Sequence, residues 1–413
     1  MRVEVIDTVD RLAQIELAWD ELYKADPYAH IYLSSQFITM AAMKAVGKFR
    51  VIAAWSDEGR CVGLLPLVVT IRWSKTERWL YNVLDMLGHV FDADYTGILC
   101  DPNLETQVCK AFAAQISKMP SGRIVLNYFD GPASRLNTFT GAFAPDLFET
   151  KVNAQFINHG QTNNLICPYI ELPETFEQYL GGLSSNARQK LRRLLRQAQS
   201  DPSLKITRSR PETYTQDVAI LSQLWYQKHV HQKGEKRAAH LADLFKEVIL
   251  LGLAAGTVYL AILWRAGKPV AAQANYIDLV KRQALFHVGG RDETVRDLSA
   301  GLMLQAHCIR WAIANGLLRY DFTIGNEPYK YSLGAQDRQI ASAEVFTKTG
   351  ANVTGRLDDS FRDDVLAIIR KFIREDRRDD AYIAAEQALF VWPDLEPGRD
   401  AKVFISNIGI DRS

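Results

Sequence analysis

The feature that most constrains this chain is an order of elements that occurs twice. Near Val51, "FRVIAAWSDEGRCVGLLPLVVTIRW" sets two apolar runs around Asp57-Glu58-Gly59, the pattern of a β-hairpin. A strand-like segment over 79–87, a helical segment over 104–118 and a strand opening near Arg123 follow. Near Val258, "GTVYLAILWRAGKPVAAQANYID" is again a hairpin, turning at Ala266-Gly267-Lys268. "RQALFHVGG" then reads as a strand, 301–315 as a helix and "LLRYDFTIG" as a closing strand. The halves match in order and only loosely in sequence. Chance recurrence is the alternative, but a duplicated α/β domain gives each half its own sheet and core. The length of 413 residues also exceeds what a single core usually fills. The expected division is 1–155, 156–349 and a helical appendage over 350–413.

Bulk properties narrow the partners. Lys and Arg number 49 against 48 for Asp and Glu, so wholesale polyanion binding, DNA included, is not expected. Five cysteines lie far apart with no CxxC pair, which argues against a disulfide framework or a cysteine-rich zinc site and fits a reducing cytoplasm. The N-terminus lacks a secretory h-region, and no apolar run approaches the ~18 residues of a membrane span. A cytoplasmic protein is therefore expected. No GxxxxGK[ST], HExxH, GxSxG or strand-to-helix GxGxxG is present, which weakens ATP-dependent, zinc-hydrolase, serine-hydrolase and dinucleotide chemistry.

Two segments invite chemistry. "LSSNARQKLRRLLRQAQS" reads as a helix over 183–199, capped by Ser184 or Ser185, with Leu191, Leu194 and Leu195 on one strip. Arg188, Arg192 and Arg196 stack one turn apart, with Lys190 and Arg193 beside them. Such a face can meet an anionic ligand (tRNA, lipid or acidic glycan), or simply be solvated; no aromatics interleave to stack on bases. The second segment is "FHVGGRDETVRDLSAG". Asp297 or Ser299 can cap the helix it opens, leaving the amides of Ser299, Ala300, Gly301 and Leu302 for a pyrophosphate. Gly301 permits close approach, and Arg291 or Arg296 can supply charge.

With Ser299-Ala300-Gly301, Gly316, Asp321-Phe322, Gly325 and Tyr329-Lys330 in this order, the chain resembles the CelD/BcsL-type, cellulose-biosynthesis-like branch of the GNAT acyltransferases, related to FemAB-type peptidyltransferases. Arg188, Leu191, Arg192 and Arg193 match that branch's basic helix, and the resemblance covers about residues 183–346. A proline often stands where this chain has Ala300. The resemblance implies an α/β fold of tandem GNAT-like domains with mixed central sheets, and acyl-CoA, acetyl-CoA foremost, as co-substrate. It implies a fourth strand over 283–289, a pyrophosphate helix from Ser299 and a fifth strand over 318–324. The acceptor would be a small molecule, glycan or cell-envelope precursor. FemAB-like transfer from aminoacyl-tRNA and a non-catalytic accessory role in polysaccharide biosynthesis are the alternatives.

Acyl transfer needs a base, an oxyanion site and a proton for the leaving group. His287, at a strand end, is a candidate base or a histidine satisfied within the sheet. Asp321 can orient a histidine, bind the acceptor or hold a backbone group. Glu327 is a second candidate base or a charged turn. Tyr329 can protonate a thiolate, as a tyrosine often does in the superfamily. Lys330 can pair with Asp321, contact a phosphate or face solvent.

Overall fold

The computed structural model of the protein describes residues 1–393. The N-terminal half supplies β1 (Arg2–Ile6), α1 (Val9–Gln14), α2 (Glu16–Ala25), α3 (Ser35–Lys44), β2 (Phe49–Trp55) and β3 (Cys61–Trp73). It continues with β4 (Leu80–Met86), β5 (Leu99–Cys100), α4 (Glu105–Ile116), β6 (Arg123–Phe129), α5 (Ala133–Thr140) and β7 (Phe148–Val152). A hairpin of β8 (Phe156–Ile157) and β9 (Thr162–Asn163) leads to β10 (Ile166–Glu171), α6 (Phe176–Gly182), α7 (Ser185–Ser200), β11 (Leu204–Arg208), α8 (Tyr214–Lys233) and α9 (Glu235–Ala254). Then come β12 (Val258–Arg265), β13 (Lys268–Asp278), β14 (Gln283–Arg291), α10 (Ala300–Ala314), β15 (Arg319–Asp321), α11 (Pro328–Tyr331) and β16 (Gln336–Gln339). β17 (Ala341–Thr347), α12 (Arg362–Arg374) and α13 (Arg378–Val391) end the described chain.

Local chemistry accounts for the elements around the candidate site. The Ser184 hydroxyl accepts the Ala187 amide and starts α7, while Leu191, Leu194 and Leu195 form its buried stripe. Its arginines fall on the other side because 3.6 residues per turn separates the two sets. The hairpins turn where Gly59 and Gly267 supply positive φ.

Two sheets have the same plan. The first runs β1-β2-β3-β4-β6-β17-β7, with β5 on β3, and the second β11-β12-β13-β14-β15-β10-β16. Each has one parallel junction, β4 with β6 and β14 with β15, among antiparallel neighbours. The repeat of element order is therefore a repeat of topology. Its sixth position, however, is exchanged. β17 leaves the second half to pair with β6 and β7, and β10, following the first half, pairs with β15 and β16. Residues 341–347, which the expected boundary at 349 assigns to the second unit, thus complete the first sheet. α12 and α13 bury Val365, Ile369, Phe372 and Ala384 in the core on that sheet's outer face. The remainder of the expected appendage, 394–413, lies outside the described residues.

A second core joins α6, α7 and α10 to the outer face of the second sheet. The core between the halves is common to both: Trp19, Tyr32 and Phe37 share it with Leu221, Trp225, Phe245 and Tyr276. α8 crosses β14 at Gly290, where an added Cβ would lie 2.4 Å from the Trp225 amide nitrogen. Only glycine lets the helix approach the strand this closely.

Candidate active site

The second sheet splits between β14 and β15. They pair over three positions, Gln283 with Arg319 through Leu285 with Asp321. Beyond them β14 stays with β13 as far as Arg291, while the Phe322 and Gly325 amides donate to the Pro168 and Ile166 carbonyls along β10. Two walls diverge, bridged at their root by the Thr323 hydroxyl, which donates to the Phe286 carbonyl at 3.0 Å. The expected strand over 318–324 stops at Asp321 because Thr323 turns to φ 57° and Gly325 to φ 94°. A β-branched residue in that region is an outlier that costs about 1–3 kcal/mol. Asp321 holds it there by accepting the Thr323 amide at 2.7 Å.

The first sheet has the corresponding junction, but the space beyond it is occupied. The Thr96 amide donates to the Tyr128 carbonyl, the Asp130 amide donates to the Thr96 carbonyl, and Thr96 bridges to Phe129 in parallel. The open fork belongs to the second sheet.

α10 begins at the mouth of that fork. Neither expected cap is used: Ser299 occupies the N-cap without a side-chain bond, and Asp297 pairs with Arg265 at 2.7 Å. Among the described residues the amides of Ser299, Gly301 and Leu302 have no acceptor, whereas the Ala300 amide turns back to the Leu298 carbonyl at 2.8 Å. Three of the four expected amides are thus available and the Ala300 amide is not. Arg291 lies across the first turn, its Cδ 3.7 Å from where a Cβ at Gly301 would stand, and forks onto Glu293. Arg296 is exposed.

Asp321 is 1% exposed and makes an ordered network. It accepts from the Tyr95 hydroxyl at 2.8 Å and from Arg338 at 3.0 Å, and Arg338 also reaches Asp130 at 2.6 Å. Arg338 lies 4.4 Å over the Tyr95 ring. The carboxylate is saturated with donors, so it fixes the fork's root. His287 is the extra residue of a bulge in β14, where Phe286 faces Asn275 and Val288 faces Ala274. Its ring is enclosed by Tyr32, Phe245 and Tyr276 on the side of the first half, with Nδ1 3.4 Å from Asp94 and Nε2 unpartnered.

The other expected residues gather at α11, not at Asp321. Lys330 is buried, and its Nζ lies 2.8 Å from the Ile324 carbonyl, 2.7 Å from the Gly325 carbonyl and 3.0 Å from Glu327. Its three donors are used in a clamp on the turn that ends the strand, in place of the Asp321, phosphate or solvent contacts the sequence left open. The Glu327 carboxylate folds over Gly325. Tyr329 stands edge-on to Phe322 at 6.4 Å. Desolvation and then the charge of Glu327 push its phenol upward, although the residue as a whole is 42% exposed. A phenol held so firmly protonated is a weak acid toward a thiolate of pKa near ~8.5, and better suited to donating a hydrogen bond.

On α7, Arg192 meets Glu177 at 2.6 Å, and Lys190, Arg193 and Arg196 are exposed. Tyr95, Asp130 and Arg338 are the participants that the sequence did not announce. A carboxylate at a buried strand end demands a counter-charge, but nothing local says which of many arginines provides it. Among the described residues there is no cluster with metal-ligand character, and no helix is long and apolar enough to cross a membrane.

Fork, bulge and helix terminus together define a GNAT fold, here in tandem. Residues 185–331 match the family model described as "Acetyltransferase (GNAT) domain", less than half of the chain. Among solved structures the chain is similar to FemX, at 10% identity and TM-score 0.57, with 84% of this chain and 97% of that one covered. It also aligns with a protein of unknown function from Bacteroides thetaiotaomicron (13% identity, TM-score 0.47, 84% and 99% covered). A tandem GNAT protein from the clavulanic acid biosynthesis pathway aligns as well (8% identity, TM-score 0.45, 84% and 98% covered). No curated protein sequence matches the chain.

Proposed function

We propose that the protein is an acyltransferase. It moves an acyl group from an activated donor in the fork of the second sheet to an amine or hydroxyl of a small-molecule, carbohydrate or cell-envelope acceptor. The observation that carries this reading is the fork itself, with the free amides of Ser299, Gly301 and Leu302 and the Arg291 guanidinium at its mouth. A helix terminus of this kind suits a pyrophosphate, and the diverging walls suit an extended thioester arm, so acyl-CoA, acetyl-CoA foremost, is the proposed donor. The acceptor nitrogen or oxygen attacks the thioester carbonyl, its proton passes to a base, the C–S bond breaks, and the departing thiolate takes its proton from the protonated base or from water. His287, whose buried Nε2 has no partner among the described residues, is the proposed base. Asp321 and Lys330 position the two walls, and Tyr329 donates a hydrogen bond near the sulfur.

Transfer from aminoacyl-tRNA is a second reading, supported by the exposed basic face of α7 and by the likeness in fold to FemX. Calorimetric titration with acetyl-CoA and, separately, with aminoacyl-tRNA distinguishes the two. Saturable acetyl-CoA binding is expected, and its absence alongside tight tRNA binding would select the second reading. Gly301→Arg places a long side chain over the free amides, where its Cβ meets only ordinary contacts, so thioester binding should be lost with the fold intact.

A further inference from the structure

The hairpin of β8 and β9 reverses the usual division between inside and outside. Its polar side chains are turned to the protein: Thr162 and Asn164 are buried, Asn164 donates to the Tyr128 hydroxyl at 3.4 Å, and Gln155 donates to Asn127 at 3.1 Å. Its large apolar side chains are turned out, Phe156 at 57% exposure and Ile157 at 44%, with Val152 at 76% just before them. Neither Phe156 nor Ile157 belongs to any of the cores. A lone pair of two-residue strands is marginal in water, so polar bonds must order it. Asn158 donates to Thr162 at 3.1 Å, and Asn158, His159 and Gly160 turn in left-handed conformations. The exposed apolar pair adds nothing to that order. An apolar surface held outward on a fixed segment marks a place of contact.

The hairpin is pinned to both sides of the fork. The Asn163 amide donates at 2.8 Å to the side chain of Asn326, the residue after Gly325, where the β15 wall turns. Opposite, Gln232 near the end of α8 donates to Asn158 at 2.7 Å, and α8 is the helix that crosses β14 at Gly290. Gln232 brings with it the turn from α8 to α9, where Lys233, Lys236 and Arg237 are exposed against a single carboxylate, Glu235. The hairpin adds Lys151, and no carboxylate occurs from 150 to 170. Lys236 and Arg237 stand in the first turn of α9, where the helix dipole opposes positive charge. The stability of α9 therefore does not account for them, and among the described residues neither is in an ion pair.

We propose that this face, apolar at Phe156 and Ile157 and basic at Lys233, Lys236 and Arg237, docks the protein on an anionic lipid surface. Apolar side chains can enter the boundary between headgroups and acyl chains while lysine and arginine stay with the phosphates. The whole chain carries only +1, so the attraction has to come from a local patch. A nucleic acid would use the cations and leave Val152 and Ile157 in water; a lipid surface satisfies both parts. Docking here brings the walls of the fork to the headgroups, where a lipid-borne cell-envelope acceptor would present its amine or hydroxyl. That extension rests on the acyltransfer reading; the docking does not.

The test is flotation of the full chain with vesicles of phosphatidylcholine alone and of equimolar phosphatidylcholine and phosphatidylglycerol. The chain should float with the anionic vesicles only, and added salt should release it. Phe156→Ser with Ile157→Ser should weaken partitioning about tenfold or more, as should Lys236→Glu with Arg237→Glu. Both pairs replace exposed side chains, so their thermal melts should match the wild type. Arg193→Glu with Arg196→Glu, on the separate basic face of α7, should leave partitioning unchanged. No flotation of the wild type, equal flotation on both vesicles, or undiminished flotation of either patch variant would each overturn the proposal. So would a loss confined to the α7 variant, or transfer RNA binding that needs Lys236 and Arg237 while vesicles do not bind. Acetyl-CoA titrations keep the two readings apart. Flotation without donor binding sinks the acyl-CoA donor alone, and donor binding without flotation sinks the docking alone.

Discussion

At the scale of single residues, buried histidines govern how the protein responds to acid. Burial, and then the neighbouring Arg310 charge, lower the pKa of His307 to about 4, and burial also lowers His30 and His229. Their folded values lie below the unfolded ~6.5, so between the two the unfolded chain holds more protons. Stability is then full above pH ~6.5 and declines as the pH falls toward 4. Urea melts across that window should lose stability steadily, and His307→Gln should flatten the decline by about 2–3 kcal/mol, at about 1.4 kcal/mol per unit of pKa. Arg338 makes the opposite kind of prediction. Arg338→Met leaves Asp321 and Asp130 facing each other without a counter-charge, at a cost of about 3 kcal/mol or more. Denaturant midpoints measure that loss, and Arg338→Lys should recover only part of it, since lysine cannot span two carboxylates with a planar fork. The thiols should be silent: burial raises Cys61, Cys109 and Cys308 to about 12, so an aromatic disulfide reagent should modify them only on unfolding.

At the scale of elements, the contact of α8 with β14 is the least tolerant. Gly290→Ala drives a Cβ into helix backbone that cannot swing aside, and a loss of about 1–3 kcal/mol or more is expected in chemical unfolding. The same scale shows what a sequence can and cannot disclose. Hairpins around Asp57-Glu58-Gly59 and Ala266-Gly267 were legible because their turn residues sit between apolar runs, and α7 because its cap and stripe are local. β10, β16 and β17 were not, because polar residues such as Gln336 and Arg338 pair only through partners far along the chain. The site divides in the same way. Ser299, Gly301 and Asp321 stood out from nearby pattern, whereas the carbonyls that hold Lys330 were not among its expected partners, and Tyr95 and Arg338 passed unnoticed. Their significance comes from proximity across the halves, and no spacing in the sequence encodes it.

At the scale of the whole molecule, the reciprocal exchange of β10 and β17 makes the halves depend on each other. A fragment ending at residue 155 keeps β6 and β7 but lacks the strand that lies between them, and it exposes the core shared with α8 and α9. It should show no cooperative thermal transition and should elute as aggregates on size exclusion, whereas the full chain should melt with strong coupling between its halves. Duplication has also left the two copies unequal. Segment 94–98 fills the junction of the first sheet through its bonds to Tyr128 and Asp130, and the second is left open. A molecule that looks twofold in its topology is thus singular in its capacity. Any ligand that enters by the fork should saturate at one equivalent per chain, and a titration that counted two would mean that the first sheet can be prised open.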